Sequence, residues 1–203
     1  MVKVLVAFYS MTGNTAKLAR AVADGAKEAG AEVRLRQVQE LISKEKWNDA
    51  MKEVKKELKD IPIVKMEDVV WADGIAFGTP TRFGNMSAQL KNFLDQTGEL
   101  WFKGTLINKV ATVFTSVSTQ HGGHESTILT THVVLLHHGM ILIGVPYSEQ
   151  RLMYMNEIGG GSPYGASSVS GPGANRPPTE NDLGIAKTQG RRLAEIALKF
   201  SRR

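Results

Sequence analysis

The chain has no cysteine. That excludes disulfides, iron–sulfur clusters held by thiolates, thiolate zinc sites and a cysteine nucleophile together. No apolar run approaches the length of a membrane span. The start at Met1 shows no basic region followed by an apolar core, so no secretory signal is expected and a cytoplasmic location is. Aromatic residues make up only 7%, and no basic stripe interleaved with aromatics is present, which argues against specific nucleic-acid binding. The net charge is +5, with a pI near 9.4. Lys and Glu are interspersed along the helical stretches, and no basic block is longer than a pair, such as Arg191-Arg192 and Arg202-Arg203. The five histidines include no His-Glu-x-x-His and have no paired carboxylates, so no metal site is expected. No Gly-x-Ser-x-Gly elbow supports serine hydrolysis.

What is present is an ordinary globular composition, 42% apolar and 22% charged over 203 residues. This length suits one domain, 1–203, with a sizeable core. Residues 2–9 hold a continuous apolar run of the kind buried on both faces of a sheet. An amphipathic helix follows over 14–29, with Leu18, Ala19, Val22 and Ala26 on one side. Residues 32–38 alternate as an edge strand. The segment 39–60 carries Trp47, Ala50, Met51, Val54 and Leu58 at helical spacing on an otherwise charged background, a stripe expected to face the core. Further strands are expected at 74–78, 109–115 and 140–143, with helices through Leu90, Phe93 and Leu94, over 124–138, and over 180–200. Residues 156–179 form a loop rich in Gly, Pro and Ser. Strands alternating with helices define an α/β chain with a parallel sheet.

Three polar turns end three of these strands. The first is Ser10-Met11-Thr12-Gly13-Asn14-Thr15, between a strand and a helix N-terminus, where unpaired N–H groups and the helix dipole favour an anion. It lacks the Gly-Lys-Ser/Thr of a nucleotide P-loop and the three glycines of a dinucleotide fingerprint. Hydroxyls and amides without a cation suit a terminal phosphomonoester such as that of FMN; the plainer alternative is an N-cap by Thr12 or Asn14 with no ligand. The second turn contains Pro80, Thr81, Arg82 and Phe83, and the third Ser116, Val117, Ser118, Thr119, Gln120, His121 and Gly122. In open α/β sheets this edge binds ligands. Phe83 can offer apolar surface to a flavin ring, and Arg82 a cation that favours the negatively charged, two-electron-reduced ring. The alternative for Arg82 is an exposed side chain in a helix's first turn. His137 and His138 end a helix, where the dipole favours histidine, and either could also donate a proton.

Taken together, Tyr9 to Gly13, the run Phe77-Gly78-Thr79-Pro80-Thr81-Arg82-Phe83-Gly84-Asn85-Met86, Leu94-Asp95-Gln96-Thr97-Gly98 with Leu100-Trp101, His137-His138-Gly139-Met140, and Gly160 to Ala166 resemble the WrbA-type NAD(P)H:quinone oxidoreductases. The resemblance runs nearly end to end. It implies a flavodoxin-like three-layer sandwich, with a five-stranded parallel sheet in the order 2-1-3-4-5. It implies FMN as cofactor, NADH or NADPH as hydride donor, two-electron reduction of a quinone by a ping-pong cycle, and a homotetramer with active sites between subunits. By the same resemblance Ser10 to Thr15 hold the phosphate, and Thr81 to Phe83 with Ser116 to Gly122 hold the ribityl chain and ring. His137 closes the ring site and Trp101 walls the substrate pocket. The rival expectation is a flavodoxin-type carrier of single electrons, which the basic charge disfavours because such carriers usually present acidic surfaces. Two departures stand out. Thr12 lies where the family often has Tyr, which affects the fit of the nicotinamide donor. The third turn and the 39–60 segment are longer than is common.

Overall fold

A computed structural model of the chain describes residues 1–201; the basic pair Arg202-Arg203 lies outside the described residues. Strand β1 (Lys3–Phe8) occupies the centre of a parallel sheet between β2 (Glu32–Gln37) and β3 (Gly74–Pro80). Beyond β3 lies β4 (Val110–Val117), giving the order β2-β1-β3-β4-β5 with β5 (Ile141–Leu142) outermost. Val4, Val6 and Phe8 face one layer of the core, and Leu5, Ala7 and Tyr9 the other, so every residue of this stretch has to be apolar.

Helices α1 (Asn14–Glu28) and α7 (Glu180–Ser201) cover the first face, burying Leu18, Val22, Ala26, Leu193 and Ala197. They approach unusually closely. A Cβ on Gly25 would sit 1.9 Å from Lys187 O, and one on Gly190 1.9 Å from Val22 O, so each helix needs a glycine where the other's backbone passes. On the opposite face α3 (Met66–Trp71), α4 (Ala88–Asp95) and α6 (His124–His137) contribute Val69, Leu90, Phe93, Ile128 and Leu135.

The outermost strand position is filled in two pieces. β5 pairs with Val110 and Ala111 only, and β6 (Ser167–Val169) pairs with Thr115, Ser116 and Val117. Between them the buried side chain of Gln189 takes the place of a ladder: its Nε2 donates to Val113 O at 2.9 Å and to Thr112 Oγ1 at 2.5 Å, and its Oε1 accepts from Ala166 N at 2.9 Å. The 156–179 stretch is therefore built into the sheet. It is pinned further by Asp182, which accepts from Gly160 N at 2.7 Å and Thr179 N at 3.1 Å.

The 39–60 segment differs from a single long helix. A turn of 3₁₀ helix covers 44–46, and α2 (Asp49–Glu57) begins only after Asn48, whose side chain accepts from Met51 N. Glu40 holds the preceding chain out of a helix by accepting the N–H groups of Leu41 and Ile42. Trp47 thus falls outside the helix and donates from Nε1 to Ile42 O at 2.9 Å. Met51, Val54 and Leu58 are buried against the core, as their spacing required. α3 is an additional short helix at 66–71, in a stretch for which no helix was expected. Asp68 accepts from Lys65 N at its start and pairs with Arg34 and Arg36 on β2.

Candidate functional site

Strand register brings the three polar turns together. Phe8 pairs with Gly78, and Thr79 and Pro80 pair with Thr115 and Ser116, so β1, β3 and β4 end side by side. Neighbouring parallel strands lie about 4.8 Å apart, which puts all three turns within about 10 Å. The chain order reverses between β1 and β3, and the first two turns flank that switch point. Side chains lock the turns to one another. Thr115 Oγ1 donates to Thr79 O at 2.7 Å, Thr81 N donates to Ser116 O at 2.9 Å, and the Thr81 and Thr127 hydroxyls are 2.7 Å apart.

In the first turn, Ser10 does the capping. Its Oγ accepts from Gly13 N and Ala16 N, both at 3.2 Å. Asn14, one of the caps considered above, instead donates from Nδ2 to Arg176 O at 2.8 Å. Gly13 has φ 96°, a left-handed conformation that turns the chain into α1. The N–H groups of Thr12, Asn14 and Thr15 find no partner among the described residues, and α1 has no acidic residue in its first turn. A cluster of free N–H donors at a helix N-terminus, with no carboxylate to compete, fits a phosphomonoester.

Thr12 and Thr15 line a cavity of about 320 Å³, in the range of small-ligand sites. The first turn contributes Met11, Thr12 and Thr15, the second Pro80, Thr81 and Arg82, and the third Ser116 and Ser118. Arg82 donates to Thr81 O at 2.8 Å and to Met11 Sδ at 3.1 Å and has no carboxylate partner among the described residues. Two further walls were missed by sequence reasoning: Asn48 and Ala50 at the start of α2, and Ser170, Gly173 and Ala174 beyond β6. The signals were faint, an Asn at a helix start and the turn-forming Gly171-Pro172-Gly173.

The remaining expected residues lie elsewhere. Val117 is buried in β4, and Thr119 and Gly122 are exposed on the outer side of the third turn. Gln120 and His121 face a second cavity of about 430 Å³, shared with His124, Ser167 and Gly159 to Gly161. Phe83 projects fully into solvent. It occupies a tight reversal in which Arg82 N donates to Asn85 O at 2.7 Å and Asn85 N returns to Arg82 O at 3.0 Å. With φ 53° at Phe83 and 75° at Gly84, this is a mirror-image turn that usually takes Asn-Gly.

Trp101 and His137 are neighbours, but at the other edge of the sheet. Trp101, in α5 (Gly98–Phe102), donates from Nε1 to His137 O at 2.9 Å. α6 starts beside the third turn and its 14 residues carry His137 about 20 Å back along the strands. Within one chain, neither residue closes the cavity built by the first turn. Next to them Thr97 donates to Leu94 O, so His138 Nε2 donates to Thr97 Oγ1 at 3.0 Å.

A parallel sheet in the order 2-1-3-4-5, with polar turns gathered at its switch point, defines a flavodoxin-like protein. The chain belongs to the family of NADPH-dependent FMN reductases, whose model matches residues 2–149. It is 54% identical over 197 residues to an NAD(P)H dehydrogenase (quinone) of Aromatoleum aromaticum, spanning 96% of this chain and 95% of that one. A protein of the same name from Trichlorobacter lovleyi is 51% identical over 203 residues, covering 99% of this chain and all of its own. The flavodoxin, WrbA-like protein from Agrobacterium tumefaciens shares the fold, with a TM-score of 0.66, 23% identity, and 98% and 99% of the two chains covered. Among the described residues no helix is long and apolar enough to cross a membrane.

Proposed function

We propose that this protein transfers two electrons from NADH or NADPH to quinones through FMN bound in the 320 Å³ cavity, the chain of 1–203 acting as one FMN-binding unit. The observation that carries the reading is the set of unpaired N–H groups at Thr12, Asn14 and Thr15, of which Thr12 and Thr15 line a cavity whose one lining cation among the described residues is Arg82. Bound there, FMN supplies the chemistry of accepting a hydride from a nicotinamide and passing both electrons on. The protein's own groups do the rest. The first turn holds the phosphate by backbone donors, with Ser10 fixing the turn from beneath. Thr81 and Ser118 would offer hydroxyls to the bound cofactor, and Arg82 would supply a positive charge that favours the negatively charged reduced ring. Donor and quinone use the same open face in turn, which is a ping-pong cycle.

A homotetramer belongs to the same reading, because Trp101 and His137 can reach a flavin only in another copy of the chain. Two exposed apolar patches support that assembly. One joins Trp101, Phe102 and Ile107 to Val133 and Leu136 of α6; the other runs through Tyr147, Met153, Tyr154, Met155 and Ile158. The name carried by the relatives supports the quinone as acceptor. A cytoplasmic location goes with it, since the nicotinamide donors are intracellular reductants.

Anaerobic mixing of the FMN-loaded protein with NADH and with NADPH tests the activity. Loss of the yellow flavin absorbance with at least one donor, and its return with benzoquinone, is expected. Failure of both donors to bleach the protein refutes the oxidoreductase reading.

A further inference from the structure

Glu40 gathers five hydrogen-bond donors from different parts of the fold. Oε2 accepts from Tyr9 Oη at 2.9 Å and pairs with Lys55 Nζ at 3.0 Å. Oε1 accepts from Leu41 N at 2.9 Å, Ile42 N at 3.0 Å and Gln89 Nε2 at 2.9 Å. The side chain is only 9% exposed. Burial alone would raise its pKa, but the donors on Ile42, Lys55, Gln89 and Tyr9 outweigh it and hold the carboxyl at about 2. Tyr9 is the residue before the phosphate turn, Lys55 belongs to α2 and Gln89 to α4. The Lys55 ammonium also lies 5.1 Å over the Tyr9 ring.

The other end of α2 reaches the cofactor cavity. Asn48 and Ala50 line it together with Met11 and Thr12. Val54 packs on the turn itself, 3.5 Å from the position a Cβ on Gly13 would take. The helix therefore rests on the phosphate turn at Val54, walls the cavity at Asn48, and is tied by Lys55 to the carboxylate that also holds Tyr9. A hydrogen-bonded ion pair at this depth is directional, and parting one partner from the other is costly.

We infer that Glu40 is a positioning residue that latches α2 across the mouth of the phosphate pocket, so that FMN leaves only when the Glu40–Lys55 contact opens. The inference rests on the cavity being the FMN site. It assigns a task to the lengthened 39–60 segment, which holds the cofactor in while leaving the ring face to the substrates.

The test compares the holoenzyme with its Glu40→Gln and Lys55→Met variants, two independent ways to cut the same contact. FMN release is followed by recovery of free-flavin fluorescence after dilution, and melting temperatures are measured with and without FMN. Release about tenfold faster is expected in each variant, the loss of one charge-assisted contact. The double variant should be no faster than the singles, because both remove one interaction. The melting-temperature gain on adding FMN should also shrink. A purely structural role would lower both melting temperatures together and leave that gain and the release rate alone. Unchanged release in both variants, with wild type retaining FMN, overturns the latch alone. Wild type that loses FMN on gel filtration overturns the assignment of the cavity, and the latch with it.

Discussion

Ser167 Oγ stands between two partners: it accepts from Gly161 N at 2.7 Å and lies 2.9 Å from His124 Nδ1. Its single proton goes to the imidazole, so His124 is the Nε2–H tautomer and donates to Thr119 O at 3.2 Å. One neutral ring thereby ties β6 to the third turn. Burial pushes its pKa below the ordinary 6.5, against smaller opposing effects from the Thr119 carbonyl, Asp182 and Glu125; the nearby His121 pushes it down further.

The sign follows from linkage. A depressed pKa means the unfolded chain binds the proton first, so His124 contributes its full stability above pH 6.5 and loses it as pH falls below that value. His124→Gln keeps an acceptor and a donor but does not titrate. Urea unfolding at stepped pH should show a shallower loss of stability below pH 6.5 in the variant, the remaining slope coming from His132 and His138, which burial lowers as well. A slope equal to wild type would remove the role.

Phe83 holds a left-handed conformation that costs a non-glycine residue about 1–2 kcal/mol, and its exposed ring recovers nothing within its own chain. Phe83→Asn should raise stability to denaturant by about 1 kcal/mol. It should also raise KM for quinone, if the ring's task is to meet substrate or a neighbouring copy. A variant no more stable than wild type would show that the turn is not strained.

Gly190→Ala places a methyl group on the Val22 carbonyl, and α1 cannot yield without disturbing Gly25 against Lys187. A loss of about 3 kcal/mol is expected in chemical denaturation, the upper range for overpacking. A loss of a few tenths would mean that the two helices slide apart freely.

Arg82→Ala removes the only side-chain cation lining the cavity among the described residues. In potentiometric titration of the FMN-loaded protein the two-electron midpoint should fall by about 30 mV, equivalent to about 1.4 kcal/mol. An unchanged midpoint would return Arg82 to an ordinary surface role.

The alternation of strands and helices and the first strand-to-helix turn were legible because both depend on local pattern, whereas the sheet order followed from the family resemblance. The apolar run at 4–9 has to be a central strand, and Ser10 to Thr15 can only be a strand-to-helix turn. β6 was not legible: Ser167-Ser168-Val169 has neither length nor alternation, and it is a strand because Thr115 to Val117 leave a free edge to pair with. The split of 39–60 was hidden for a similar reason, since it depends on Glu40 accepting the next two backbone N–H groups. At the site, Ser10 and Thr81 could be picked out by residue type. Asn48 and Ala174 could not, because their place on the cavity wall is set by chain segments distant in sequence.

The outer margin of the sheet has one more consequence. A strand at a sheet edge invites pairing by other polypeptides, and a long flat one can seed aggregation. Here that margin is a two-residue strand, a side chain and a three-residue strand in succession, with Gln189 occupying the donors and acceptors of the middle stretch. At this margin no intruding chain finds more than three consecutive residues to zip onto. The interruption that made this strand hard to see in the sequence therefore also keeps this margin from pairing with other copies of the chain at high concentration.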